Sequence, residues 1–265
     1  MIGILDSGIG GLTVVNALKP LLPGFDMVYF GDTAHSPYGG RSPEKIRQFA
    51  DRGMNFLANQ GAKMVVVACS TISSVAAGHF QHTYDLPVLE AVGPAALAAM
   101  NLRARRNTIG VIGTPGTVLS RAHEKKIRKL LPNAVVYAVA APMLVPLIES
   151  GLLKRPETAM IVKKYLHALK IKNVDTLIMG CNHYTVIGKL IQHKMGKRVH
   201  LIDSVSVLAQ SVRTYVMTHQ EIRRSLGKNG FCRYCLSDIT DEMKQQARNI
   251  FRCNGNLEMV FLDSR

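Results

Sequence analysis

Short, almost wholly apolar runs ending in glycine or a polar turn alternate along this chain with longer stretches of helical period. Residues 2–5, 27–30, 64–68, 87–89, 108–112, 134–139, 176–179 and 199–202 read as strands. Residues 16–22, 43–59, 71–84, 117–131, 156–169 and 205–219 read as helices, with Pro43 and Pro156 suited to a first turn, where no amide hydrogen is needed. Strands that are apolar at nearly every position have both faces buried. Alternating with helices, they predict an α/β fold built on parallel sheets.

The pattern also repeats itself. Ile2-Gly3-Ile4-Leu5-Asp6-Ser7-Gly8 is echoed by Ile109-Gly110-Val111-Ile112-Gly113-Thr114-Pro115-Gly116. Met64-Val65-Val66-Val67-Ala68-Cys69-Ser70-Thr71 is echoed by Thr176-Leu177-Ile178-Met179-Gly180-Cys181-Asn182-His183. The offsets of 107 and 112 residues fit one duplicated α/β unit with small insertions. Ligands of such sheets sit beyond the carboxyl ends of strands, so each copy places a Gly-rich turn and a cysteine where a ligand would lie. Two facing copies present two thiols to one cleft.

One cysteine at a strand end is most simply a small buried hydrophobe. Two at equivalent places of a repeat, each followed by polar residues, point to chemistry. Inverting a carbon that carries an acidic hydrogen needs a base on one face and an acid on the other. A thiol serves both ends, because a helix N-terminus or a cationic neighbour can lower its pKa, and Cys69 and Cys181, each after a strand and before a helix or turn, are expected to be thiolates. Asp6, closing the first strand, and His183, two residues after Cys181, are placed to set the protonation of the thiols. The turn residues Ser7, Gly8, Gly10 and Gly11 offer backbone N–H groups to a carboxylate.

Composition narrows the alternatives. Lys and Arg number 33 against 18 Asp and Glu, a formal charge of +15, which suits either a nucleic acid or an anionic metabolite. The basic residues are spread out (Arg103, Arg105, Arg106; Lys125, Lys126, Arg128, Lys129; Arg223, Arg224). Aromatics make up only 6% with no Trp, so a nucleic-acid partner is not expected. The odd count of five cysteines argues against a disulfide framework. Cys232-x-x-Cys235, with His219 and Cys253 nearby in sequence, lacks regular zinc-ligand spacing, and no metal is expected. Gly8-Ile9-Gly10-Gly11 fails as a dinucleotide fingerprint because Thr13 stands where the third glycine belongs. The first apolar run is too short for a signal peptide, and residues 134–148 are interrupted by Pro142 and Pro146, so a cytoplasmic protein is expected.

Six blocks in order resemble those of the bacterial glutamate racemases: Asp6-Ser7-Gly8-Ile9-Gly10-Gly11-Leu12-Thr13; Gly31-Asp32-Thr33 with Pro37-Tyr38-Gly39; Ala68-Cys69-Ser70-Thr71; Ile112-Gly113-Thr114; Val145-Pro146-Leu147-Ile148-Glu149; and Gly180-Cys181-Asn182-His183-Tyr184. The resemblance implies two pseudo-symmetric α/β domains facing each other across the active site, residues 1–96 plus 208–265 and residues 97–207. It implies interconversion of L- and D-glutamate without a cofactor, supplying D-glutamate for peptidoglycan; a homodimer is expected separately, because such proteins are often oligomers. Cys69 would take the α-proton of D-glutamate, assisted by Asp6, and Cys181 that of L-glutamate, assisted by His183 and Glu149. Asp6, Ser7, Pro37, Tyr38, Gly39, Ser70, Thr71, Asn182 and His183 would surround the amino acid.

Three positions depart from the family pattern. Ser70 stands where Asn is usual and Asn182 where Thr is usual, so polar functions have been traded across the cleft or preference has moved toward another acidic amino acid such as aspartate. Val92-Gly93-Pro94-Ala95 replaces the usual order of Pro and Gly, and an altered hinge is expected there.

Overall fold

The computed structural model describes residues 1–102 and 107–262; Arg103, Arg105 and Arg106 lie outside them. Ile2–Asp6 (β1) passes through the glycine turn into Leu12–Leu18 (α1). Met27–Gly31 (β2), Pro43–Asn59 (α2), Met64–Val67 (β3), Ser70–Thr83 (α3), Val88–Glu90 (β4) and Val92–Asn101 (α4) follow. The second unit comprises Thr108–Gly113 (β5), Pro115–Leu119 (α5), Ala122–Leu130 (α6), Val135–Ala140 (β6), Leu144–Glu149 (α7), Pro156–Ile171 (α8), Thr176–Gly180 (β7), Gly188–Met195 (α9) and His200–Asp203 (β8). Ser204–Thr218 (α10), Gln220–Ser225 (α11), Cys232–Leu236 (β9), Asp241–Asn249 (α12) and Leu257–Met259 (β10) close the described chain.

Two parallel sheets result, ordered β10-β9-β2-β1-β3-β4 and β6-β5-β7-β8. Without β9 and β10, the first sheet has the order of the second, each strand four places earlier. The topology is that of a repeated unit, as the echoed segments predict. In each copy the strand that opens the unit lies beside the strand that leads to a cysteine, β1 beside β3 and β5 beside β7. The C-terminal strands return to the first sheet, β9 pairing with β2.

The apolar stripe of α2 packs on the first sheet as its period predicts, burying Ile46, Phe49, Ala50 and Leu57 among Leu5, Val28 and Phe30. The Ile46, Phe49 and Leu57 side chains each contribute about 1.5–3 kcal/mol. A larger core runs through both units: Ile4, Leu12 and Tyr29 from the first, Leu144 and Leu177 from the second, and Leu208 and Val212 of α10 between them. The cleft is therefore backed by continuous packing.

Three elements differ from the sequence expectation. The first helix begins at Leu12 and stops at Leu18, earlier than residues 16–22, because Pro20 cannot continue it and restricts the residue before it. The helix expected over 117–131 is two, broken where Arg121 takes a left-handed φ of 55°. The altered block at Val92 does not disrupt the chain; it opens α4, whose first amides, Val92 and Gly93, donate to the Glu90 carboxylate, the latter at 2.7 Å. Residues 97–207 hold 18 Lys and Arg against 5 Asp and Glu, so nearly all of the excess charge belongs to the second unit. Among the described residues no helix is long and apolar enough to cross a membrane.

Candidate active site

Asp6 ends β1 and is almost fully buried. The turn after it folds back, so that the amides of Gly8 (3.2 Å) and Gly11 (3.0 Å) donate to its Oδ2. The carboxylate that the glycine turn receives is thus the chain's own, and these amides hold a catalytic candidate in place. Burial raises the pKa of Asp6, against the lowering effect of His183 and of these donors.

Cys69 follows β3 at the N-terminus of α3, and Ser7 Oγ lies 3.3 Å from its sulfur. Burial and the neighbouring Asp6 push this thiol up to about 12, so the lowered pKa expected of a thiol at a helix N-terminus is not found at Cys69, and the sulfur is protonated at neutral pH. Cys181 follows β7 at the equivalent place, with His183 Nδ1 3.8 Å from its sulfur. His183 Nε2 in turn meets Glu149 Oε1 of α7 at 2.8 Å, and Nδ1 meets Asn182 Oδ1 at 2.9 Å. Both ring nitrogens face acceptors, which requires both to carry hydrogen. Burial alone would lower the pKa of His183, but the contacts with Cys181 and Glu149 win and raise it to about 10. An imidazolium therefore stands beside the second sulfur.

Ser7, Pro37, Tyr38, Gly39, Cys69, Ser70, Thr71, Cys181, Asn182 and His183 line one cavity between the two sheets. Asp6 lies beneath it, reached by Asn182 Nδ2 at 2.8 Å, and Glu149 lies behind His183. The residues expected to move the proton or to surround the amino acid thus lie in one constellation. Ser36, Thr114 and Val145 line the same cavity in addition to the residues the sequence predicts. Thr114 had a signal, since it occupies in the second copy the place of Ser7 in the first. Its hydroxyl meets that of Thr71 at 2.8 Å, joining α3 to the loop after β5 across the cleft. Asp32, in the second family block, accepts from the Tyr38 hydroxyl and, at 2.7 Å, from Ser237 Oγ, tying the Tyr38 loop to the returning C-terminal segment. Nothing in the local sequence marks Ser237.

The other cysteines are elsewhere. Cys232 and Cys235 stand three apart on β9, so their side chains leave opposite faces of the sheet, and they pack into different cores. Among the described residues no group of three or more His, Cys, Asp or Glu is placed to hold a metal ion.

Two thiols at equivalent strand ends, in one cleft and each backed by an ionisable partner, are the apparatus of a two-base racemase of α-amino acids. Residues 12–212 match the family described as Asp/Glu/Hydantoin racemase, and the chain belongs to that family. Within it, the chain is 40% identical over 225 residues to the glutamate racemase of Oceanobacillus iheyensis, covering 84% of this chain and 82% of that one. It is 42% identical over 223 residues to the glutamate racemase of Streptococcus pneumoniae, covering 84% and 83%. The crystal structure of glutamate racemase from Francisella tularensis in complex with D-glutamate superposes with a TM-score of 0.91 at 34% identity, over 100% of this chain and 98% of that one.

Proposed function

We propose that this chain interconverts L- and D-glutamate without a cofactor, with Cys69 and Cys181 as the two proton-transfer groups. The observation that carries the reading is the cavity wall to which both thiols contribute, one from each sheet. The relatives just described supply the substrate.

With L-glutamate bound, the Cys181 thiolate removes the α-hydrogen and the electron pair of the C–H bond moves onto the substrate carboxylate as an enediolate. The Cys69 S–H then delivers its proton to the opposite face of the carbon. D-glutamate leaves, Cys69 is now the thiolate, and the reverse reaction starts from there. His183, held by Glu149, keeps a positive charge beside the Cys181 sulfur. Asp6 takes the corresponding place behind Cys69. Ser7, Pro37, Tyr38, Gly39, Ser70 and Thr71 surround the amino acid, with Asn182 and His183 completing the wall. The two lobes, residues 1–96 with 208–265 and residues 97–207, close over it.

The product is D-glutamate for peptidoglycan, made in the reducing cytoplasm where thiols persist. A homodimer belongs to the same reading. The apolar groove between α4 and α10, with Leu97, Val207 and Tyr215, is a face it could bury, and sedimentation at micromolar concentration tests it.

The test is polarimetric. L- and D-glutamate and L- and D-aspartate are each followed with the wild type, Cys69→Ser and Cys181→Ser. Racemisation of glutamate that both substitutions abolish is expected. Unchanged rates in either variant would defeat the two-thiol mechanism, and a preference for aspartate would move the reading to that substrate.

A further inference from the structure

The side chain of Asn182 has an unusual position. It leaves the chain immediately after Cys181 of the second unit, yet its amide Nδ2 donates across the cleft to Asp6 Oδ1 at 2.8 Å and to the Ala68 carbonyl at 3.1 Å. Ala68 is the residue before Cys69. The same side chain's Oδ1 accepts from His183 Nδ1 at 2.9 Å. Only this orientation of the amide suits its neighbours, since Asp6 and Ala68 present acceptors and His183, with Glu149 on its far nitrogen, presents a hydrogen. Asn182 is buried, and the amide hydrogens toward the first unit are already engaged by protein oxygens.

We propose that Asn182 is a positioning residue that couples the two halves of the site, holding Asp6 behind Cys69 and His183 beside Cys181 through a single amide. The inference rests on the racemase reading and deepens it. A continuous chain runs Glu149–His183–Asn182–Asp6, from the group that backs one sulfur to the group that backs the other. A hydroxyl at position 182 could donate to one neighbour and accept from another. It could not span the reach from β1 to the imidazole.

The groups facing the two ends are known. Asp6 is met by Tyr29 from β2, by Cys69 after β3 and by His183; His183 is met by Cys181, by Glu149 from α7 and by Asp6. The Tyr29 hydroxyl and the Gly8 and Gly11 amides donate to Asp6 Oδ2, whereas Asn182 donates to Oδ1. Losing its donor makes the Asp6 carboxylate harder to form, and losing its acceptor makes the His183 imidazolium easier to deprotonate. The pH window of activity should therefore narrow from both sides.

The experiment compares kcat/KM for glutamate across pH in wild type, Asn182→Ala and Asn182→Asp, together with an NMR titration of the His183 ring in the free protein. In Asn182→Ala the acid limb should rise and the basic limb fall, each by about one pH unit, the size of one lost hydrogen bond to a charged group. Asn182→Asp keeps an acceptor toward His183 and loses the donor toward Asp6, so only its acid limb should move inward. A raised KM with both limbs in place, or an equal loss at every pH, overturns the proposal. The ring titration does not need the substrate: a fall of the His183 midpoint in Asn182→Ala supports the coupling even if glutamate proves to be the wrong amino acid, and an unmoved midpoint rejects it even if glutamate is the right one.

Discussion

Glu149 Oε1 lies 2.8 Å from Nε2 of His183, and this contact makes the two halves of the site unlike each other. The first sulfur is backed by a buried carboxylate and the second by an imidazolium paired to a carboxylate. A duplicated fold has thus been given two different electrostatic surroundings for the same chemical group.

One thiol from each sheet leads to a one-sided behaviour when either is lost. A hydroxyl is far harder to deprotonate than a thiol, so Cys69→Ser and Cys181→Ser should each lower racemisation by about 10²–10⁴-fold or more. Because the equilibrium constant is unity, the loss of kcat/KM must be the same from either enantiomer. Hydrogen exchange carries no such constraint. In deuterated water Cys69→Ser should still label the α-position of L-glutamate with retention, through Cys181, while Cys181→Ser labels only D-glutamate. NMR of the recovered amino acid checks this, and labelling of the opposite enantiomer in each case would reverse the assignment.

Removing the charge of Glu149 should act through the ring. Glu149→Gln keeps a hydrogen-bonding group but not the anion, so His183 loses part of what raises its pKa to about 10. The basic limb of kcat/KM should move to lower pH and the rate near neutrality fall by about tenfold, the equivalent of about 1.4 kcal/mol. A pH–rate profile measures both. An unshifted limb would mean that the pair contributes nothing to the protonation of the ring.

How much of this could be read from the sequence depends on how local each feature is. β1, β3, β5 and β7 were legible because strands buried on both faces carry unbroken apolar runs, and Cys69 and Cys181 were legible because the repeat places them equivalently. The part of Glu149 came through family resemblance alone: it lies 34 residues before His183, and no spacing joins α7 to the turn after β7. The reach of Asn182 to Asp6, 176 residues away, and of Ser237 to Asp32, 205 away, depends on how sheets and loops stack. Periodicity reports which face of an element is buried, and leaves open which side chain on a distant element it meets.

His123 of α6 is a separate matter of stability. It is buried, neither ring nitrogen has a hydrogen-bond partner among the described residues, and burial lowers its pKa to about 4. Between the unfolded value of 6.5 and about 4 the unfolded chain binds a proton that the folded chain refuses, so stability falls as pH falls through that window. The full effect is about 3 kcal/mol. His123→Leu fills similar space without the orphan nitrogens, and should flatten the acid side of the stability curve and raise Tm at pH 5 by several degrees. Thermal unfolding at pH 5 and pH 7 checks the difference; an equal change at both pH values would rule out protonation of this ring as the cause.

Gly10 gives the most direct test of how closely the two halves approach. A Cβ built there would overlap the imidazole of His183 and come within 2.6 Å of Asn182 Oδ1, so the turn after β1 can pass the second unit only as glycine. Gly10→Ala leaves the cores untouched but must displace His183, Asn182 or the turn itself. A shift of about 1 Å in a positioned group costs about 10²-fold in rate. The expected outcome is an enzyme that unfolds near the wild-type temperature yet has lost about two orders of magnitude in kcat/KM. Gly78, inside α3 with open space around its Cα, is the matched control: Gly78→Ala should stabilise by about 0.5–1 kcal/mol and leave the rate unchanged. If Gly10→Ala were as active as Gly78→Ala, the turn and the His183 ring could not be packed against each other in the working enzyme.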